Sequence, residues 1–182
     1  MTKTALIIID LQNDFLKGGA LEVKEGNTII PNMNHLLNCP FDVKVASKDW
    51  HPQDHSSFIL WPPHCIQDTF GAEFPKELNS DKIEKVFYKG TNQAIDSYSA
   101  FFDSEKIAST GLYEYLKQAR IDELFIGGLA TDFCVKETVL DALKLGFKTH
   151  LIVDACKAVY DHEGAVEEMR QAGALLSSTS RI

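Results

Sequence analysis

The sequence lacks the features that mark membrane, secreted or nucleic-acid-binding chains. No apolar run reaches the ~20 residues needed to cross a bilayer. No Lys/Arg cluster interrupts a balance of 18 basic against 26 acidic residues, and a net charge of −8 argues against nucleic acid or an anionic membrane as a partner. Cysteine is scarce, and Cys39, Cys65, Cys134 and Cys156 show no C-x-x-C spacing. The opening Met1-Thr2-Lys3-Thr4 leads straight into an apolar run. It predicts no secretory signal and, with the scattered cysteines, a reduced, cytoplasmic protein. Internal repeats, linkers and low-complexity segments are absent from the pattern. What remains is 182 residues, 45% apolar and 24% charged, which predicts one domain spanning residues 1–182 with a sizeable core.

Six short apolar runs predict strands. Ala5–Ile9 is continuous and β-branched, the mark of a strand buried on both faces. Val43–Ala46, Lys85–Tyr88, Leu124–Ile126, His150–Val153 and Ala174–Ser177 follow. Helical spacing falls between them. Asn27 is placed to cap a helix carrying Ile29, Ile30, Met33, Leu36 and Leu37, with Pro31 near its first turn. Thr110 is placed to cap one carrying Leu112, Leu116 and Ala119, and Asp161 to open one that Gly173 stops. Strands alternating with helices predict an α/β fold, a three-layer α/β/α domain with a six-stranded, mostly parallel sheet. Trp50–Ser80 is rich in proline, histidine and aromatics with little periodicity, and long irregular segments in compact domains are usually functional.

The fourth strand leads into Gly127-Gly128-Leu129-Ala130-Thr131-Asp132-Phe133-Cys134-Val135. Two glycines permit a tight turn, and Thr131 or Asp132 could cap the helix carrying Val135, Val139, Ala142 and Leu143. Cys134 then lies in the first turn, where free N–H groups and the helix dipole favour a thiolate. An inert buried cysteine fits this stretch equally well. Ligands of open parallel sheets bind beyond the carboxyl ends of the strands, and Asp10, Asp49, Lys89 and Gly128 all fall at such ends. Asp10, Lys89 and Cys134 together could serve as base, cation and nucleophile, although each alone reads as an ordinary strand-end residue. Asp49, His51 and His55, with His64 beyond, suit a borderline metal such as zinc, or a polar loop using its histidines for hydrogen bonds.

Several motifs then occur in one order: Asp10-Leu11-Gln12-Asn13-Asp14-Phe15, Asp49-Trp50-His51-Pro52 with His55 and Ser56, Trp61-Pro62-Pro63-His64-Cys65, Asp96-Ser97-Tyr98-Ser99-Ala100-Phe101 and Gly128–Val135. Together they resemble the nicotinamidases of the isochorismatase-like cysteine hydrolase superfamily. The resemblance implies hydrolysis of nicotinamide to nicotinate and ammonia through a thioester on Cys134, with pyrazinamide as a further substrate. It implies a catalytic triad of Asp10, Lys89 and Cys134, and an oxyanion hole from the Ala130 and Cys134 N–H groups, with a cis peptide between Leu129 and Ala130. It also implies one divalent metal, zinc before iron or manganese, held by Asp49, His51 and His64, with His55 a ligand in some members, and a water-completed shell facing the substrate's ring nitrogen. Phe15 and Trp61 would sandwich the ring, and Leu21 and Tyr98 would line the pocket. The implied partner is the small-molecule substrate, and a homo-oligomer stays open. Two other readings remain, a hydrolase of another small amide or carbamoyl compound and a zinc-stabilised binding domain. One departure stands out: Asp68-Thr69 follows Gln67 where family members commonly have Gly-Thr, and a position needing positive φ would resist the change.

Overall fold

The computed structural model describes residues 2–182. In chain order its regular elements are β1 (Thr4–Ile9), α1 (Ile30–Asn38), β2 (Val43–Asp49), β3 (Lys85–Lys89), α2 (Leu112–Gln118), β4 (Glu123–Leu129), α3 (Lys136–Lys144), β5 (Lys148–Lys157), α4 (His162–Gln171) and β6 (Leu175–Ser177). The strands form one sheet in the order β3-β2-β1-β4-β5-β6, and every pairing is parallel. The six expected strands and the α/β class are therefore present. No helix among the described residues is long and apolar enough to cross a membrane.

The sheet is covered on both faces. On one, Ala5, Ile7, Ile9, Leu124 and Ile126 pack against Leu112 and Leu116 of α2, Val139 and Ala142 of α3, and Ala165 and Met169 of α4. On the other, Leu6, Ile8, Ala46 and Ile152 meet Ile30, Met33, Leu36 and Leu37 of α1. Ala5 to Ile9 are fully buried, as a central strand with helices above and below requires. Each large side chain so removed from water contributes about 1.5–3 kcal/mol. The strand order reverses between β1 and β4, which opens a crevice beyond their carboxyl ends. Asp10 leaves β1 there, and Ala130 leaves β4.

Three expected helix caps take other partners. Asn27 lies in a 3₁₀ turn, Gly26–Ile29, and its Oδ1 accepts the Lys17 N–H at 2.8 Å, so α1 starts later, with Pro31 in its first turn. Thr131 and Asp132 sit in a π-helical turn, Thr131–Val135, that precedes α3, and neither caps it. Their side chains reach the 159–162 segment instead. Asp161 does cap α4, accepting the Gly164 N–H at 2.9 Å. The irregular Trp50–Ser80 stretch holds only the short 3₁₀ turns Ser56–Ile59 and Phe70–Ala72, with Ser80–Lys82 at its end.

Candidate functional site

The backbone at the crevice is unusual at three points. Gly128 adopts φ +131°, and a Cβ there would stand 2.6 Å from Ile9 N, so only glycine lets β4 approach β1 this closely. The Leu129–Ala130 peptide is cis. Asp10 has φ +45°, a left-handed conformation that aspartate tolerates better than most residues. Its N–H donates to Ser47 O at 3.2 Å, and its Oδ1 accepts the Ser47 hydroxyl at 2.7 Å.

Lys89, at the end of β3, is fully buried, and its ammonium meets Asp10, just past β1, and Asp49, at the end of β2. Its ammonium donates to Asp49 Oδ1, to Ser97 O at 2.9 Å and to Cys134 Sγ at 3.3 Å. Asp10 Oδ2 lies 2.8 Å from the same nitrogen, so the ammonium is ion-paired with both carboxylates. Acceptor atoms of Asp10, Asp49 and Cys134 lie within 4.8 Å of one another. A carboxylate this close to a thiol is placed to exchange a proton with it.

The charges of this cluster decide its protonation. Burial disfavours charge on Lys89, but Asp10 and Asp49, with Cys134, outweigh it and hold the ammonium well above the ordinary lysine range. Burial raises Asp10; Lys89 opposes the rise and Asp49 adds to it, leaving a stronger base than an ordinary carboxylate. Burial also pushes the Cys134 thiol up; Lys89 opposes this, and Asp10 and Asp49 reinforce it. Burial and two nearby carboxylates thus oppose the thiolate that the helix start and Lys89 favour, and Asp10, Lys89 and Cys134 titrate as one coupled group.

The second cluster lies beside the first. His51 Nδ1 and His64 Nδ1 each lie 2.8 Å from a carbonyl, Gly90 O and Pro62 O, and a carbonyl only accepts. Both Nδ1 atoms therefore carry a proton, and in the neutral rings both Nε2 atoms present lone pairs, 3.5 and 3.7 Å from Asp49 Oδ2. Three electron pairs facing one point repel unless a cation stands between them, so Asp49, His51 and His64 fit a divalent metal. Burial raises the Asp49 carboxyl, but the Lys89 ammonium leads the groups that outweigh it and hold it well below its usual range, keeping it an anion. Gln12, fully buried, clasps Asp49 from behind: its Oε1 accepts Asp49 N–H at 2.9 Å, and its Nε2 donates to Asp49 O at 2.7 Å and Ala72 O at 2.9 Å.

His55 stands apart. Its ring stacks on His51 with centroids 4.1 Å apart, its Nδ1 accepts Ser57 N–H at 3.2 Å, and its Nε2 faces Ile95 O at 3.3 Å. Both nitrogens are engaged away from the Asp49 point, and His55 groups with His51 and Asp96 instead. The loop after His64 keeps its tie to His51 through His51 N–H to Cys65 O and Gln67 N–H to His51 O. Asp68 does adopt φ +61°, and an aspartate there takes the left-handed turn that a glycine would take freely.

A pocket of about 490 Å³, counting its open mouth, lies over both clusters. Phe15, Leu21, Trp61 and Tyr98 line it with Asp49, His64, Ala130 and Cys134, while Asp10, Lys89 and His51 lie beneath. Trp61 Nε1 donates to Tyr98 Oη at 3.4 Å, and both rings pack on Phe133, at 5.3 and 5.8 Å. Phe15 packs at 5.6 Å from His64. The Ala130 N–H makes no hydrogen bond to the described residues and borders the pocket beside Cys134. Sequence reasoning missed Val23, Asp96, Leu129, Phe133 and Val159 in the lining. Asp96, Leu129 and Phe133 sit inside or next to the recognised motifs, whereas Val23 and Val159 carry no local signal.

Comparison with known proteins gives this geometry a context. The nicotinamidase of Escherichia coli (strain K12) is 43% identical, over 97% of this chain and 95% of that protein. The structure of PnC1 from L. infantum in complex with nicotinate superposes with a TM-score of 0.94 at 40% identity, covering 98% of this chain and 94% of that one. The pyrazinamidase of Pyrococcus horikoshii in complex with zinc superposes at 0.87 with 39% identity, covering 97% and 99%. An isochorismatase domain model matches residues 4–181, the whole sheet and every cluster described above. The chain belongs to the isochorismatase family.

Proposed function

We propose that the protein is a nicotinamidase, a cysteine amidohydrolase that converts nicotinamide to nicotinate and ammonia and also accepts pyrazinamide. The observation that carries this reading is the Asp10 carboxylate set beside the Cys134 thiol, both against the buried Lys89 ammonium, at the floor of an aromatic pocket. The flat ring enters between Phe15 and Trp61, with Leu21 and Tyr98 at its edge. Cys134 Sγ attacks the carboxamide carbon as its proton passes to Asp10 Oδ2. Lys89 stays protonated and steadies the charge between Asp10, Asp49 and sulfur. The Ala130 and Cys134 N–H groups receive the oxyanion, and each such donor contributes roughly 3 kcal/mol in acyl-transfer sites.

The tetrahedral adduct collapses when Asp10 returns the proton to the amide nitrogen, which departs as ammonia. A thioester remains on Cys134. Water then adds to its carbonyl carbon, giving one proton to Asp10. As the C–S bond breaks, Asp10 returns that proton to the Cys134 sulfur, and the released acid gives up the second proton of water to solvent as nicotinate. A divalent ion held by Asp49, His51 and His64 would supply a Lewis-acid anchor for the ring nitrogen. Zinc suits this carboxylate-and-imidazole set and accompanies the related pyrazinamidase. His55 supports the ring of His51 from outside that set. The test is ammonia release from nicotinamide by the purified protein. Release that falls with a chelator and returns with zinc supports the reading, and no release from the zinc-loaded protein rejects it.

A further inference from the structure

Two residues before Cys134, one carboxylate gathers three backbone N–H groups from a single short segment. Asp132 Oδ1 accepts Val159 N–H at 2.9 Å, and Oδ2 accepts Tyr160 N–H at 2.8 Å and Asp161 N–H at 3.1 Å. A second tie runs beside it, between Thr131 Oγ1 and His162 Nδ1 at 2.9 Å. The segment lies between β5, ending at Lys157, and α4, starting at His162, so no strand ladder or helix holds residues 159–161. Yet Val159 lines the substrate pocket. Tyr160, 77% exposed, meets the ring of Phe133 edge-on at 6.0 Å, and Phe133 supports Trp61 and Tyr98. One wall of the pocket is thus fastened through Asp132.

We infer that Asp132 is a positioning residue for substrate binding: it holds residues 159–161 as a pocket wall and so sets the affinity for the ring, without acting on the bonds being broken. The inference rests on the nicotinamidase reading for its substrate. The reasoning is geometric. Asp132 has both oxygens occupied by N–H donors from that wall, and none of these bonds goes to Asp10, Lys89 or Cys134. Asp132→Asn keeps the shape but turns one acceptor oxygen into an N–H₂ donor. At least one wall N–H then faces a donor and loses its partner.

The experiment has three arms on Asp132→Asn and the zinc-loaded parent. Steady-state kinetics with nicotinamide should show KM raised at least about 5-fold with kcat within about 2-fold, the pattern of lost uniform binding. Hydrogen exchange of the 159–161 amides, read by mass spectrometry without substrate, should quicken by about 10-fold or more as the wall opens locally. Iodoacetamide should alkylate Cys134 at the parental rate. Should Asp132→Asn fail to fold, Val159→Ala removes the wall contact without touching Asp132, and its KM should rise in the same way. Unchanged KM with unchanged exchange would overturn the inference, as would a fall in kcat at constant KM with altered alkylation, which would place Asp132 at the reacting centre. A parent that releases no ammonia rejects the activity reading instead, and the exchange arm then decides whether Asp132 holds the wall.

Discussion

Replacing Lys89 with methionine isolates the electrostatics on which the site depends. The ammonium is fully buried, paired with Asp10 and Asp49, and hydrogen-bonded to Ser97 O and Cys134 Sγ. Removing one partner of a buried ion pair strands the other charge and costs about 3–5 kcal/mol. For a chain of this size each kcal/mol corresponds to roughly 2–4 °C in Tm, so a fall of about 6–20 °C is expected. The deficit should depend on pH in a definite direction. Lys89 itself has a raised folded value, so its contribution is fully present below the ordinary lysine value of 10.5 and does not titrate near neutrality. Asp10 is different: burial already raises it, and losing Lys89 raises it further. A carboxyl raised on folding loses stability as pH rises from its unfolded value through its folded one. The Tm gap between parent and variant should therefore shrink toward about pH 5 and widen toward pH 8. Adding Asp10→Asn removes one of the two stranded carboxylates and should restore part of the loss. Differential scanning calorimetry across that range is the assay. A Tm within about 2 °C of the parent at pH 8, or a double variant less stable than Lys89→Met alone, would refute the reasoning.

Four further outcomes are expected. Cys134→Ala should abolish ammonia release with little change in circular dichroism or Tm, since the residue precedes α3 and a small side chain is tolerated there. Gln12→Glu cannot donate to Asp49 O or Ala72 O, and zinc affinity, measured against a chromophoric chelator, should fall about 10- to 100-fold. Benzamide, which lacks the ring nitrogen, should show kcat/KM at least about 10²-fold below nicotinamide, while pyrazinamide stays close to nicotinamide; near-equal values for benzamide would remove the anchoring role of the metal. Burial pushes the Cys156 thiol up to about 12, so peptide mapping after limited iodoacetamide treatment near neutral pH should find it unmodified.

Much of the architecture was legible because buried β-branched runs stop where polar residues begin. Ala5–Ile9 ending at Asp10 marks the central strand and its site end together, and Asp49 and Lys89 mark theirs in the same way. Helix starts were less legible. Asn27, Thr131 and Asp132 have capping chemistry, but their partners are Lys17, ten residues back, and His162 and residues 159–161, much further along, and local pattern carries no trace of them. The forces on the Cys134 thiol were partly legible: the helix start, Lys89 and Asp10 are visible in sequence, while full burial and the approach of Asp49 are not. Gln12 lay inside the first motif, yet its clasp on Asp49 joins residues 37 apart. Val159 is a small apolar residue in a connection, and only the fold brings it to the pocket.

The central claim is that Cys134 carries the acyl group during turnover. Acid-quenching the zinc-loaded protein within the first turnover of nicotinamide, followed by digestion and mass spectrometry, tests it most directly. The account predicts one nicotinoyl group on the peptide containing Cys134, absent in Asp10→Asn and lost on longer incubation as nicotinate accumulates. Steady ammonia release with Cys134 unacylated at every quench time, or undiminished release by Cys134→Ala, would contradict it.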